Sequence, residues 1–499
     1  TFGEAFANGT IDLGSGTDHV LFANTQNTAT IIDAETITGG TLVDKIELSG
    51  GWTGGTINLG GGNDYLAFTD GGTLTVSNVE TMLGSNNDDR ITIATAGAIS
   101  SLDLGGGDDL VTWSGISVTA SMSGVESIAG GSQGDTITLI SEITGALFDL
   151  GDGTDKLLLS SAGDNTLTIS SIENVTGGTA EDYIVVGSSS YVGNVALGGG
   201  LDTIVLAESG NTVTVSNIET IAGGGGDDKI TFTSAAVDVE LDTFTGNDTI
   251  TLSSQANSLT ISNAETISGG TAVDFIIVDT EMNGGAISLG SGYDTATFTA
   301  GVTALFTAVE TITTSSDDDS ITLSATYTGA TIDMGAGTDY LIFTSSGTVN
   351  VSNAEHITGG IGINKIILTG TGTTNIDVGS GDDIIMLSQG QDNVTTGGGA
   401  DRLVYTSVDQ SDASNVDVIL DFTVGTDLLV FEGLLSGTFS YLGNSTSLSG
   451  TGDSEAYFVN ATDRLHVDTD GDGNVDMVIK LSGLNYDDID ASEFNWSLP

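Results

Sequence analysis

The chain has no cysteine, so disulfides and thiolate metal sites are excluded. Its one proline is Pro499. That scarcity suits an uninterrupted hydrogen-bonded ladder, because proline removes a donor. Basic residues number 8 against 68 acidic ones, a formal net charge of −60. No basic patch is available to neutralise phosphates, which disfavours nucleic acid as a partner. No stretch is long and apolar enough for a membrane span. No signal peptide is visible at Thr1, and we expect the sequence to start inside a longer or processed chain. The three histidines, His19, His356 and His466, form no H-E-x-x-H motif, and no G-x-S-x-G elbow is present. We therefore expect no active site.

A charge this high usually means disorder. Hydrophobic residues nevertheless make up 38% of the chain. Such a chain can fold if something offsets carboxylate repulsion, and Ca²⁺, with its preference for carboxylate and carbonyl oxygens, is the natural agent.

What the chain has is glycine, 73 residues of it, and internal repetition. One element reads IDLGSGTDHVLF at 11–22, INLGGGNDYLAF at 57–68, LDLGGGDDLVTW at 102–113 and IDMGAGTDYLIF at 332–343, with further copies between and after. A second alternates with it, as in VSNVETMLGSNNDDRI at 76–91 and VSNIETIAGGGGDDKI at 215–230. The joint period is about 46 residues. Each element ends in a turn with an Asp or, at 364, an Asn. The residues two and four places further on are apolar throughout, for example Val20 and Phe22, Ile91 and Ile93, Val111 and Trp113. Alternation of period two makes each turn the start of a half-buried strand. The residue before each buried pair is often a cation (Lys45, Arg90, Lys156, Lys229, Lys365) and should face solvent.

These features predict an all-β fold, a parallel β-roll or β-solenoid over 1–405, followed by a β-rich C-terminal capping and secretion region at 406–499. Taking each Asp turn as one coil gives a rod of roughly 80 Å; a single wide coil per 46-residue repeat would halve that. Repeat sequence begins almost at once with IDLGSGTD, so the N-terminal end is expected to be bare. The long faces are expected to carry high negative charge and to repel one another unless Ca²⁺ bridges them.

At 379–405 three nonapeptides run in tandem, GSGDDIIML, SQGQDNVTT and GGGADRLVY, with Asp383, Asp392 and Asp401 nine residues apart. They resemble the RTX repeat G-G-x-G-x-D-x-U-x, of which the 46-residue units look like a stretched form. The resemblance implies multiple Ca²⁺ sites at Asp18, Asp64, Asp109, Asp155, Asp202, Asp294, Asp339, Asp383, Asp392 and Asp401. Carbonyls of Gly14, Gly16, Gly60, Gly62, Gly105, Gly107, Gly379 and Gly381 would join them. The second-element turns (Asp44, Asp89, Asp135, Asp182, Asp228, Asp274, Asp319) often lack the second glycine, which makes them weaker candidates. The bland alternative for all of them is an ordinary Asp-Gly turn. Segments 417–434 and 466–494, and the ending NYDDIDASEFNW, resemble the C-terminal region of serralysin-type RTX exoproteins, which implies a cap and an uncleaved type I secretion signal. Within it Asp468, Asp470 and Asp472 sit at alternate positions ahead of Gly473, as in the start of an EF-hand loop, though Ile479 stands where a bidentate Glu belongs.

The expected function is that of a secreted, calcium-dependent structural protein of the bacterial cell surface, namely an S-layer subunit, surface filament or adhesin. The expected partners are further copies of itself in a lattice or filament, cell-surface polysaccharide, and the type I secretion machinery. The alternative is the carrier region of a secreted enzyme or toxin with an effector upstream of Thr1. A sugar- or ice-binding module would need a regular outer array of one residue type, for which the sequence offers short Thr-rich patches.

Overall fold

The computed structural model describes residues 1–495. Trp496 to Pro499, the end of the expected secretion tail, lie outside the described residues. The chain divides into two compact units, Thr1–Ser253 and a second from Ser254 onward. Each is a parallel β-solenoid. Among the described residues there is no α-helix, and two short 3₁₀ turns, Val408–Gln410 and Ala491–Glu493, are the helical content.

The repeat from 27 to 68 shows how a coil is made. It contributes five strands: Asn27–Ile32, Thr36–Thr38, Asp44–Leu48, Trp52–Asn58 and Tyr65–Phe68. The first, third and fifth stack in one sheet, with Asn27 beside Asp44 and Lys45 beside Tyr65. The second and fourth stack in the opposing sheet, with Thr36 beside Thr56. One coil therefore takes two strands, and one repeat makes two and a half coils. This corrects both expected coil sizes: the coil is smaller than a 46-residue repeat, and Asp turns do not count coils one for one. The Asp turn occurs on either side of the stack and looks the same in sequence on both.

The alternation places the predicted apolar pairs inside. Val20, Ile46, Leu66, Ile91, Val111 and Ile137 are at most 2% exposed. Buried Ile, Leu, Val and Phe fill the gap between the two sheets, and neighbouring coils cover each other's apolar rows. Lys45, Arg90, Lys156 and Lys229 are exposed as expected, while Lys365 is half-buried.

The second element is a corner. Its S-N-x-E-T motif puts Asn78, Asn217, Asn263 and Asn353 at φ between 53° and 62°. Asparagine tolerates this left-handed conformation better than most residues. Asp33, Ser171 and Ala308 take the same conformation in their copies, at φ 51° to 53°.

Two expectations need correction. The N-terminal end is covered in part: the Phe2 amide donates to the Leu21 carbonyl (2.8 Å), and the Phe2 and Phe6 rings pack with Phe22 at centroid distances of 5.0 to 6.4 Å, whereas Ala7–Asp12 pairs as a strand with Asn27–Ile32 alone among the described residues and leaves its outer edge open. The long faces are not strongly negative. The carboxylates gather along the turns, and the outward strand residues are mostly Thr, Ser, Asn and a few apolar side chains.

In the second unit parallel pairing continues past the nonapeptides to Leu428–Phe431, which stacks on Arg402–Tyr405. An antiparallel meander of Glu455–Val459, Arg464–Asp468 and Met477–Leu481 follows. Its last strand lies parallel to Asp417–Ile419, and Phe494–Asn495 pairs with the Leu428–Phe431 strand. Both sheets thus end under a strand from the C-terminal region.

Candidate metal centre

Each Asp turn begins with close stacking of backbone on backbone. Gly60 has φ 90°, and a Cβ there would lie 1.9 Å from the Gly40 carbonyl oxygen. Gly107 has φ 133°, and a Cβ would lie 2.7 Å from the Asn87 carbonyl carbon. Only glycine meets both demands. Gly62, Gly105, Gly379 and Gly381 have positive φ in equivalent turns, and Gly14 has φ 70° in the first coil, where Gly16 lies against the Asp18 carboxylate.

The turn aspartates then form short columns. The Asn27 amide donates to Asp44 Oδ1 (2.9 Å), the Asp44 amide to Asp64 Oδ1 (2.7 Å), and the Asp64 amide to Glu80 Oε2 (2.8 Å). The same relay runs Asp89, Asp109, Glu126, then Asp135, Asp155, Glu173, and Asp182, Asp202, Glu219. In the second unit it runs Asp274, Asp294, Glu310, then Asp319, Asp339, Glu355. The motif glutamate thus closes each column by accepting a turn amide. At the start of the chain Asp18, half-buried, donates its amide to Glu35 Oε2 (2.6 Å). Because a repeat has five strands, successive columns lie on opposite edges of the stack: Asp44 and Asp64 precede strands of one sheet, Asp89 and Asp109 strands of the other.

The two carboxylate oxygens have different fates. In Asp64, Asp109, Asp155, Asp202, Asp294, Asp339, Asp383 and Asp401, Oδ1 accepts the amide of the preceding coil, while Oδ2 is buried with no hydrogen-bond partner. A buried, unpartnered carboxylate oxygen is costly. Burial above all, then the neighbouring carboxylates, push Asp64, Asp109, Asp155, Asp202, Asp294 and Asp339 up to about 6 and Asp401 up to about 7. An oxygen-seeking cation beside Oδ2 would remove both the vacancy and the repulsion. The residues present therefore fit Ca²⁺.

Several second-element turns have filled that oxygen. The Trp113 indole donates to Asp135 Oδ2 (2.8 Å), the Gly40 amide to Asp44 Oδ2 (3.0 Å), the Ser85 amide to Asp89 Oδ2 (3.1 Å), and the Gly270 amide to Asp274 Oδ2 (3.4 Å). Asp182, Asp228 and Asp319 keep an unpartnered Oδ2. Asp392 departs from the other nonapeptide aspartates, since Ser388 donates to both of its oxygens. We expect Asp109→Ala to lower the Ca²⁺-dependent part of thermal stability by about 2–3 kcal/mol at a hundredfold excess over Kd. Asp135→Ala should cost about 1 kcal/mol, from the lost Trp113 and Val118 hydrogen bonds, at every Ca²⁺ concentration that supports folding. Melting curves across a Ca²⁺ series, from the lowest concentration that supports folding to saturation, check this, and equal Ca²⁺-dependent losses would refute it.

In the C-terminal region Asp468, Asp470 and Asp476 bring carboxylate oxygens within 4.8 Å of one another. Asp468 accepts the Gly471 and Gly473 amides (2.7 and 2.8 Å). Asp472 turns away, its carboxylate accepting from Asn474 (2.7 and 2.8 Å). Asp476 closes the EF-like segment that the sequence marks at 468–476, though it was not singled out there as a ligand. Neither was Asp417, wholly buried under Asp392, whose amide it accepts (2.8 Å). Burial and the Asp392 charge push Asp417 up to about 9. It lies in no Gly-rich turn, so turn spacing had no means of finding it.

The histidines are dispersed. His19 Nε2 lies 3.0 Å from the Thr38 hydroxyl, His356 stacks on Tyr340, and His466 stacks on Tyr457.

Residues 335–492 match the family described as the peptidase M10 serralysin C terminal. No curated protein matches the chain. The match and the parallel solenoid fit a serralysin-like RTX β-roll protein. It covers the C-terminal repeat region of that family and not the catalytic M10 domain. The family is known to bind calcium, and such a C-terminal domain implies a secreted protein. No helix among the described residues is long and apolar enough to cross a membrane.

Proposed function

We propose that this chain is a calcium-stabilised structural protein of the bacterial cell surface, an S-layer subunit, filament or adhesin stalk. The carrying observation is the recurrence of the same half-satisfied carboxylate turn on both edges of both units. A scaffold built this way is a rigid element whose ordering depends on extracellular Ca²⁺. The residues that would hold the ion are the eight first-element and nonapeptide aspartates with a free Oδ2. Turn-glycine carbonyls complete the oxygen shell. Cell fractionation and electron microscopy test the reading. Protein on intact cells, released by chelator and reassembling into ordered arrays when Ca²⁺ returns, is the expected result. Protein found wholly in culture supernatant, with no cell-bound or ordered form, would overturn it.

A further inference from the structure

Twelve stacked strands of one sheet in the first unit, from His19–Leu21 to Thr220–Ala222, present an outer face of Thr, Ser, Asn, Gly, Ala and scattered apolar residues. In a chain of net charge −60, the outward positions of these strands carry a single carboxylate, Asp149, and a single Lys or Arg side chain, Arg90. His19 is the other titratable group besides Tyr183. Threonines Thr36, Thr56, Thr75, Thr92 and Thr112 stand in one file on successive coils. Leu147 and Tyr183 are 51% and 44% exposed on the same face. The next strand, Val237–Asp242, carries Asp238, Glu240 and Asp242 and ends the neutral strip.

The two charges are placed symmetrically. Arg90 opens the fifth of the twelve strands, and Asp149 lies in the eighth. Arg90, Leu110, Ser127 and Leu147 share one file, and Asp149 lies one outward position further along its strand. The two are about 16 Å apart by strand and residue spacing, too far for an ion pair within one chain. A two-fold axis lying in the interface, parallel to the strands and between the sixth and seventh, carries the fifth strand onto the partner's eighth and keeps each file in place. It therefore sets Arg90 over the partner's Leu147, one outward position and about 7 Å from the partner's Asp149. The long Arg90 side chain spans that offset, and the same pair forms a second time by symmetry. It likewise sets Ser127 against the partner's Leu110, so the two Ser127 residues lie about one strand spacing apart across the interface. Isologous pairing requires a self-complementary patch of this kind.

We propose that this face is the docking surface for a second copy of the chain, paired face to face about that axis. Charge decides the occupant. Any approach through the edges brings carboxylate columns together, whereas this face meets its own image with its two charges matched. The strip is about 55 Å long and about 13 Å wide, roughly 700 Å² per partner. That is close to the about 800 Å² per partner of a standard specific interface. The proposal deepens the surface-structural reading and rests on it.

Sedimentation of the full chain in Ca²⁺ tests it, with circular dichroism confirming that each variant folds. Arg90→Glu and Asp149→Lys should each weaken the dimer by about tenfold or more, through like charges set opposite each other twice. The double variant should recover wild-type association. The chain has no native cysteine, so Ser127→Cys with a short bis-maleimide should give a covalent dimer. A folded wild-type chain that stays monomeric overturns this proposal alone and leaves the calcium reading standing. Association indifferent to both charge reversals, or a double variant no better than the singles, also overturns it. So does a monomer that binds soluble dextran through this face, which would make the strip a glycan surface.

Discussion

Metal-free protein at about pH 7.5 is expected to show the circular dichroism of a largely unfolded chain, and millimolar Ca²⁺ is expected to restore the strand signal. Eleven of the turn aspartates named above, Asp182, Asp228 and Asp319 included, bury an oxygen with no hydrogen-bond partner. Each stands in a column with one or two further carboxylates, and the basic residues are too few to answer them. An ion that binds only the folded state at a hundredfold over its Kd contributes about 2.7 kcal/mol per site. A handful of such sites already matches the whole stability of a typical domain, about 5–15 kcal/mol. Removing them should therefore unfold the chain rather than loosen it. Full strand content in chelator would refute this.

Acid should partly replace the ion. Asp64, Asp109, Asp155, Asp202, Asp294 and Asp339 have carboxyls pushed up to about 6, against an ordinary 3.8. Between those values the folded chain binds more protons than the unfolded one, so metal-free stability falls as pH rises. The contribution is complete below about pH 4 and gone once the pH has climbed past about 6. Chelex-treated protein should accordingly gain strand signal when taken from about pH 7.5 to about pH 5, where most exposed carboxylates remain charged. In saturating Ca²⁺ the sign reverses, because protons then compete with the ion. A flat metal-free profile between pH 5 and 7.5 would show that the turn carboxylates do not titrate as their burial implies.

Much of this was legible in the residues. The apolar pair after each Asp announced a half-buried strand, and Val20 with Phe22 or Ile91 with Ile93 lie in the core as that pattern requires. The coil size was not legible. The short strand Thr36–Thr38 starts on the last residue of the corner motif and is too brief to show a period, so a five-strand repeat reads as a two-turn one. Site quality was legible only in part. The missing second glycine flagged Asp135, but the indole that fills its carboxylate belongs to Trp113, on the preceding coil 22 residues earlier. No spacing rule connects those positions. The role of the repeated glutamate was equally hidden, since Glu80 accepts an amide from Asp64, 16 residues before it.

The odd strand number per repeat has a mechanical consequence. Columns of like charge lengthen when bare and shorten when an ion draws them together. If every column in Thr1–Ser253 stood on one edge, loading with Ca²⁺ would contract that edge against the other and bow the stack. Five strands per repeat send Asp44 and Asp64 to one edge, Asp89 and Asp109 to the other, and Asp135 and Asp155 back again. Contraction on one side is met by contraction on the other half a repeat pair later. The unit should therefore tighten along its axis as the ion concentration rises, without acquiring a bend.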